Sequence, residues 1–289
     1  MKKILLGLCL VLFCVISCKK ETEYHEIAEE VNLPEPKVAD NNVVAHRGGA
    51  SEANCPDNSM EALDYSIGLG LFATECDIYI TKDDQVIVAH ADANDRVNGF
   101  HPWEATYEQI ALARTLDNGE TIPTLGQFLD KIVAGGTTRL WMDVKSITAV
   151  PAGQADEYSA RAAEKASEII RDKQANHFVE FIVGRAAVLK RCLLAVKGDW
   201  GCAYMNTAFS PADFKSNGYA WANFSIDNVF YNNGTVKGDY TIDDYIDMGV
   251  KVSIYNADTE LNRDWYAAKS NVLYAICTNY PKAMLEAIH

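Results

Sequence analysis

"VVAHRGGASEANCPDNSMEAL" (residues 43–63) opens on three apolar residues, Val43 to Ala45, and then stops on an adjacent basic pair, His46-Arg47. Gly48-Gly49 follows, then Pro56-Asp57, then Asn58 placed three residues before Glu61. A short apolar run predicts a buried strand, and a side-chain oxygen three residues before a glutamate has the spacing of a helix capping box. The stretch is therefore a strand–turn–helix unit that carries two basic side chains at the C-terminal end of its strand. Glycine after them lets backbone approach without side-chain clash.

The same rhythm recurs along the chain. Strand-like runs appear at "FATECDI" (72–78), "RLWMDVK" (139–145), "EFIVG" (180–184), "GCAYM" (201–205), "DNVFY" (227–231), "VKVSIY" (250–255) and "LYAIC" (273–277), with "VVAH" (43–46) as the first of eight. Capping-box spacing returns at Thr106…Gln109 and Thr124…Gln127, and residues 154–174 have the pattern of a long amphipathic helix. Strands alternating with helices predict a parallel β/α architecture. From Val43 to His289 the length suits a TIM (β/α)8 barrel of about 250 residues as a single domain. An open doubly wound sheet is the alternative, but no glycine-rich fingerprint opens a helix as dinucleotide folds require.

Ahead of the barrel, "MKKILLGLCLVLFCVISC" (1–18) has two lysines, an apolar run too short to span a bilayer comfortably, and a closing Ser17-Cys18. The ending resembles a bacterial lipobox, which implies a signal peptide over 1–17 and lipid attachment at Cys18. An ordinary signal peptide or a membrane anchor is the alternative. Residues 18–42 are polar, mostly acidic and aperiodic, so they are expected to be a flexible tether. The expected location is an exported, membrane-anchored lipoprotein, periplasmic or on the cell surface, touching membrane only through its anchor.

The formal charge is −14. Such an acidic surface offers no electrostatic footprint for nucleic acid or anionic lipid head groups, so an anionic substrate must be drawn in by local positive charge. Of the 8 cysteines, Cys9 and Cys14 fall in the signal and Cys18 at its end. Cys55, Cys76, Cys192, Cys202 and Cys277 form no disulfide framework or metal spacing, and Cys192 with Cys202 is a pairing the sequence leaves open.

"TECDIYITKDDQVIVAH" (74–90) sets Glu75 and Asp77 on one face of a strand, with Cys76 turned to the helices. Ile78 to His90 is too short for a helical crossover, so "TKDDQ" is expected to turn a β-hairpin that extends the C-terminal mouth of the barrel. If it pivots at Asp83-Asp84, partners sum to about 167 and His90 lies opposite Asp77. Asp143 and Lys145 share a face on "RLWMDVK", either as an internal ion pair or as part of a site. Inward residues near strand C-termini meet at one mouth of a barrel, which would gather His46, Arg47, Glu75, Asp77, His90, Asp143 and Lys145.

These residues resemble the glycerophosphodiester phosphodiesterase family. Its pattern has counterparts, in order, in His46-Arg47-Gly48, Pro56-Asp57-Asn58-Ser59, Glu75-Cys76-Asp77, Thr81-Lys82-Asp83-Asp84, His90-Ala91 and Asp143-Val144-Lys145. "DRVNG" (95–99) and "CTNYP" (277–281) resemble later family motifs. Ala91 stands where the family has aspartate, Asp143 where it has glutamate, Asn279 where it has aspartate, and Ile254-Tyr255 where it often has Trp-Thr. The same barrel also carries phospholipases C and sphingomyelinase D-like enzymes.

The resemblance implies that His46 and His90 are an acid–base pair flanking a phosphodiester, with Arg47 and Lys145 on its anionic oxygens. Glu75, Asp77 and Asp143 offer an all-oxygen set suited to a divalent cation, Mg²⁺ or Ca²⁺, rather than zinc. The expected substrate is a small glycerophosphodiester, attacked by its own neighbouring hydroxyl to give a cyclic phosphate. A non-catalytic lipoprotein binding a phosphate- or sugar-bearing ligand is the rival from another class. The segment 92–121 is expected to be a lid shaping the leaving-group pocket. His101 within it is read as a packing residue or a third catalytic histidine. Tyr204, Tyr231 and Tyr255 are read as lining the pocket or closing the mouth.

Overall fold

The opening unit builds as strand, turn and helix. In the computed structural model, which describes residues 32–205, 209–230, 235–236 and 239–289, Val43–Ala45 is a fully buried strand, β1. A tight turn and a one-turn helix, α1 (Ala50–Ala53), lead to α2 (Met60–Gly68). Ser59, not Asn58, caps α2, its hydroxyl accepting from the Ala62 N–H at 3.0 Å.

Next, β2 (Ala73–Ile80) folds back on β3 (Val86–Val88) as the expected antiparallel hairpin. Its turn holds one residue more than a two-residue pivot. The Thr81 N–H donates to the Gln85 carbonyl at 2.9 Å and Asp84 takes a left-handed φ of 62°. Ile78 therefore pairs with Val88, and Ala89, not His90, faces Asp77. His90 lies one residue beyond the position that the pairing estimate gave it.

The remaining elements are α3 (Tyr107–Ala113), α4 (Leu125–Gly135), β4 (Arg139–Val144), α5 (Ala152–Asp172), β5 (Val179–Val183) and α6 (Ala186–Val196). They continue with β6 (Cys202–Tyr204), α7 (Pro211–Ser216), β7 (Ala222–Ser225), a short β8–β9 hairpin (Val229–Phe230 and Thr235–Val236), and α8 (Ile242–Asp247). The chain closes with β10 (Val252–Tyr255), α9 (Glu260–Ala267), β11 (Ala275–Thr278) and α10 (Pro281–Ile288). Strands β1, β2, β4, β5, β6, β7, β10 and β11 pair in parallel in that order, and β11 returns to β1. The sheet is closed, so the fold is a TIM-type (β/α)8 barrel and the open-sheet alternative fails.

One strand sits elsewhere than expected. The sixth in barrel order is Ala222–Ser225, while Val229–Phe230 of "DNVFY" joins the small β8–β9 hairpin. The true strand points Asn223 and Ser225 inward, so it lacks the apolar run that β-propensity favours.

Two packed layers position the site. Outward side chains such as Cys76, Ile78, Met142 and Phe181 pack against the helices. Inside, Trp141 and Trp221 meet at 4.8 Å between ring centroids, with Val44, Ile182, Ala203 and Cys277 around them. Two indoles fill the barrel's axis and floor the mouth above. The Trp221 Nε1–H donates to Ser253 Oγ at 2.8 Å, and the Ser253 hydroxyl donates to Asn223 Oδ1 at 2.8 Å, so the polar atoms at this depth are paired.

The segment 92–121 is anchored rather than loose. Buried Asp95 accepts from the Thr148 N–H at 2.7 Å, the Thr148 hydroxyl at 2.9 Å and the Ala149 N–H at 2.7 Å. Its Val97, Trp103 and Ile110 form a core with Tyr79 and Ile87 of the hairpin. Asp95→Ala is expected to cost about 3 kcal/mol. It orphans three donors of a charged acceptor and puts alanine in a left-handed conformation (φ 56°). A urea midpoint shift checks this.

Residues Leu33–His289 form one compact unit, so the tether does not extend to Asn42. The Lys37 N–H donates to the Gly136 carbonyl at 2.7 Å, and Asn42 Nδ2 to the carbonyls of Ser270 and Leu273 at 2.9 and 3.0 Å. The expected signal peptide (1–17) and the tether up to residue 31 lie outside the described residues. Among the described residues, no helix is long and apolar enough to cross a membrane. Cys192 and Cys202 are buried free thiols.

Candidate active site

The turn after β1 carries three successive left-handed residues, Arg47 (φ 48°), Gly48 (φ 86°) and Gly49 (φ 71°). A Cβ on Gly48 would lie 2.5 Å from Ala62 Cβ, so the glycine is what allows α2 to pack against the turn. Arg47 is not glycine, and the conformation costs it roughly 1–2 kcal/mol. Its contacts offset that cost. The Arg47 N–H donates to Glu75 Oε2 at 3.0 Å, Nη1 to Asp57 Oδ2 at 2.9 Å, and Nε lies 3.2 Å from Asp77 Oδ2.

Strands β2 and β4 supply the carboxylates. Their parallel register sets Asp77 beside Asp143 and Glu75 beside Trp141. Glu75, Asp77 and Asp143 offer oxygens that all lie within 4.8 Å of one another, and Glu75 and Asp77 are buried. Lys145 Nζ lies 2.9 Å from Asp143 Oδ2 and 3.1 Å from Asp77 Oδ1. Asn58 holds Asp77 from the other side, donating from Nδ2 to Oδ2 at 2.9 Å and accepting the Asp77 N–H at 3.2 Å.

The electrostatics follow from this crowding. Burial, then the charges of Asp77 and Asp143, push the Glu75 carboxyl well above the usual range. Asp143 also rises, because burial outweighs Lys145. Asp77 falls, since Lys145 and Arg47 overcome its burial. Lys145 is pushed up by Asp143 and Asp77 against its own burial. Three converging carboxylates face two fixed cations, one of which Asp57 also claims. That excess of buried negative oxygen fits a divalent cation held by Glu75, Asp77 and Asp143.

The histidines flank Arg47. His46 and Arg47 line a cavity of about 250 Å³ over the barrel floor, together with the three carboxylates, Asn223 and Tyr255. His90 and Arg47 line a second cavity of about 650 Å³, walled by Asp57 and by Arg96, Asn98 and Arg114 of the anchored segment. Burial, then Arg47, holds His46 below the ordinary histidine value, and partial desolvation by the groups crowding the mouth does the same for His90 against the pull of Asp77, although that ring stays open to solvent. The arrangement can grip an anionic centre at Arg47 and Lys145 with an imidazole on each side.

All seven predicted site residues thus face this mouth. His101 does not: it stacks on Trp103 at 4.9 Å and its Nδ1 meets the Asp95 carbonyl at 3.3 Å, a packing role. Tyr255 lines the smaller cavity, Tyr204 packs with Phe209, Phe214 and Tyr219 behind the barrel wall, and Tyr231 lies outside the described residues. Asn58 belongs to the Pro56–Ser59 motif and has cap spacing in the sequence, but neither pattern foretells its clamp on Asp77, and no motif flags Asp258.

The sequence profile of the glycerophosphoryl diester phosphodiesterase family matches residues 46–283. The chain belongs to this family. A glycerophosphodiester phosphodiesterase from Caldanaerobacter subterraneus is 32% identical over 101 residues, 31% of this chain and 40% of that protein. The chain spans about two fifths of the length of the bacterial curated relatives it matches. Among solved structures, a glycerophosphodiester phosphodiesterase from Parabacteroides distasonis superposes with a TM-score of 0.71 at 18% identity, over 88% of this chain and 98% of that one. A phosphodiesterase from Oleispira antarctica, solved with the product sn-glycerol-3-phosphate, superposes with a TM-score of 0.64 at 18% identity, over 89% and 97%. At these identities the superpositions show the shared barrel. Within the family pattern, Asn279 stands for an aspartate, and its side chain is bonded to His46.

Proposed function

We propose that this chain hydrolyses glycerophosphodiesters to glycerol phosphate and a free alcohol in a reaction that depends on a divalent cation. One observation carries the reading: three mutually close carboxylates share a mouth with two histidines, an arginine and a lysine. Family membership over residues 46–283 supports it. The Oleispira antarctica neighbour's bound product supports the same substrate class.

Arg47 offers a planar fork and Lys145 a point charge to the non-bridging oxygens of the phosphodiester, whose charge grows as the transition state forms. A divalent cation, Mg²⁺ or Ca²⁺, held by Glu75, Asp77 and Asp143 would neutralise part of that charge when bound. One histidine takes the proton of the glycerol hydroxyl next to the phosphate, and that oxygen bonds to phosphorus. The bond to the leaving alcohol breaks, and the other histidine protonates its oxygen. A water then opens the cyclic phosphate with the two roles exchanged. The smaller cavity suits the glycerol, and the larger one, walled by the segment 92–121, suits the alcohol.

The test is turnover of glycerophosphocholine and glycerophosphoethanolamine with and without chelator. Single alanine variants at Glu75, Asp77 and Asp143 are each expected to lower the rate and weaken the cation dependence together. Normal turnover by the triple variant in chelator would reject the cation site. No turnover of any glycerophosphodiester by the wild type in Mg²⁺ or Ca²⁺ would reject the reaction.

A further inference from the structure

His46 makes a contact that the reaction as written does not use. Its Nδ1 lies 2.9 Å from Asn279 Oδ1. An asparagine amide can turn end for end, so the partner of its other end decides what it presents. Asn279 Nδ2 lies 2.6 Å from Asp258 Oδ2, and the Asn279 N–H donates to Asp258 Oδ1 at 2.8 Å. Asp258 Oδ1 also accepts from the Thr278 hydroxyl at 3.0 Å, which fixes the carboxylate in place. An ionised carboxylate only accepts hydrogen bonds. The amide end facing it must therefore be the NH₂, and the end facing His46 must be the carbonyl oxygen. A carbonyl also only accepts, so Nδ1 must carry the ring proton. In the neutral ring that leaves Nε2 with its lone pair, on the side where Glu75 Oε2 lies 3.9 Å away and the smaller cavity opens.

We infer that Asn279 and Asp258 are positioning residues that hold the proton of neutral His46 on Nδ1. They thereby assign His46, rather than His90, to accept the proton of the attacking hydroxyl at Nε2. The assignment rests on the proposed reaction, but the placement of the proton does not. Asn279 acts here as an uncharged relay. It orients the ring and selects its tautomer, and the charge that backs it is one residue further away, on Asp258.

The relay can be inverted without touching the histidine. In Asp258→Asn the new amide can present an NH₂ to Asn279, which turns and offers its own NH₂ to Nδ1. The proton of His46 then moves to Nε2, where it blocks proton acceptance. Exchanging the pair, Asp258→Asn with Asn279→Asp, restores an acceptor facing Nδ1 with the amide behind it.

The experiment is ¹⁵N NMR of histidine-labelled protein at about pH 8.5, above the ordinary histidine range. The His46 signals are assigned by their loss in His46→Gln, and kcat and KM are measured alongside. The wild type is expected to show a protonated Nδ1 and a bare Nε2. Asp258→Asn is expected to reverse them and lower kcat about 10- to 100-fold, the usual range for an outer partner of a site residue. KM should change less than about threefold. The exchanged pair should regain the wild-type tautomer and most of the rate. A wild-type spectrum with the proton on Nε2 overturns the inference even if every variant fails to fold. So does an Asp258→Asn protein with unchanged tautomer and kcat. An absence of all turnover in the wild type would reject the proposed reaction, while the spectrum would still decide where the proton sits.

Discussion

His46→Ala and His90→Ala are each expected to lower kcat by roughly a hundredfold to ten-thousandfold, the usual contribution of one positioned acid or base. Neither change should unfold the protein. His46 begins the turn after β1 and is only partly buried, and His90 follows β3 and is exposed. The packed layers of the barrel involve neither ring. In the proposed reaction the two rings serve opposite ends of one displacement, so the double variant should fall little below the slower single variant. If the rings merely helped to bind the phosphate, the two losses would multiply and would appear in KM. Single-turnover rates on glycerophosphocholine, with thermal unfolding curves as control, make the distinction. A His90→Ala enzyme at full rate would remove that residue from the mechanism.

The site was more legible in the sequence than the fold details were, for a physical reason. Period-two alternation places Glu75 and Asp77 together with no knowledge of the rest of the chain, and it sends Cys76 outward. Asp143 joins them because β2 and β4 pair in a register that sets it beside Asp77. That register is a tertiary fact, and only the convergence of strand ends in a barrel made the meeting foreseeable. The strand Ala222–Ser225 was missed because its inward residues are polar, while the neighbouring Val-Phe-Tyr run had the stronger β-propensity. The hairpin was found but misregistered by one residue, since Asp84 adopts a left-handed conformation that the two-residue pivot did not allow for. Asn58 has the composition of a helix cap and instead clamps Asp77, while Ser59 beside it does the capping. Local patterns cannot separate those two tasks one residue apart. The docking of residues 33–42 onto the barrel was also hidden. It is held by hydrogen bonds such as Asn41 Oδ1 accepting the N–H groups of Val43 and Phe72, and such contacts leave no hydrophobic period.

The remaining prediction concerns what attacks phosphorus, and the structure narrows the candidates. Cys277 lines the smaller cavity, but burial and then the charge of Glu75 push its thiol well above the ordinary value, so it is not a ready thiolate. Burial likewise raises Cys55 and Cys76. Ser59 spends its oxygen on the cap of α2. In the proposed reaction the nucleophile then comes from the substrate, whose glycerol carries a hydroxyl next to the phosphate. Well-oriented intramolecular groups reach effective molarities of about 10⁵–10⁸ M, against about 55 M for bulk water, an advantage of at least roughly a thousandfold. A glycerophosphodiester is accordingly expected to be cleaved at least about a thousandfold faster than its analogue lacking that hydroxyl. The analogue should still bind, because in the proposed reaction Arg47 and Lys145 contact the phosphate and not the hydroxyl. Phosphorus NMR should show a transient cyclic phosphate before glycerol phosphate accumulates. Equal rates for the two substrates, with no cyclic species, would make water the nucleophile. Arg47, Lys145 and the carboxylates would keep their places, and the histidine accepting a proton would then take it from that water.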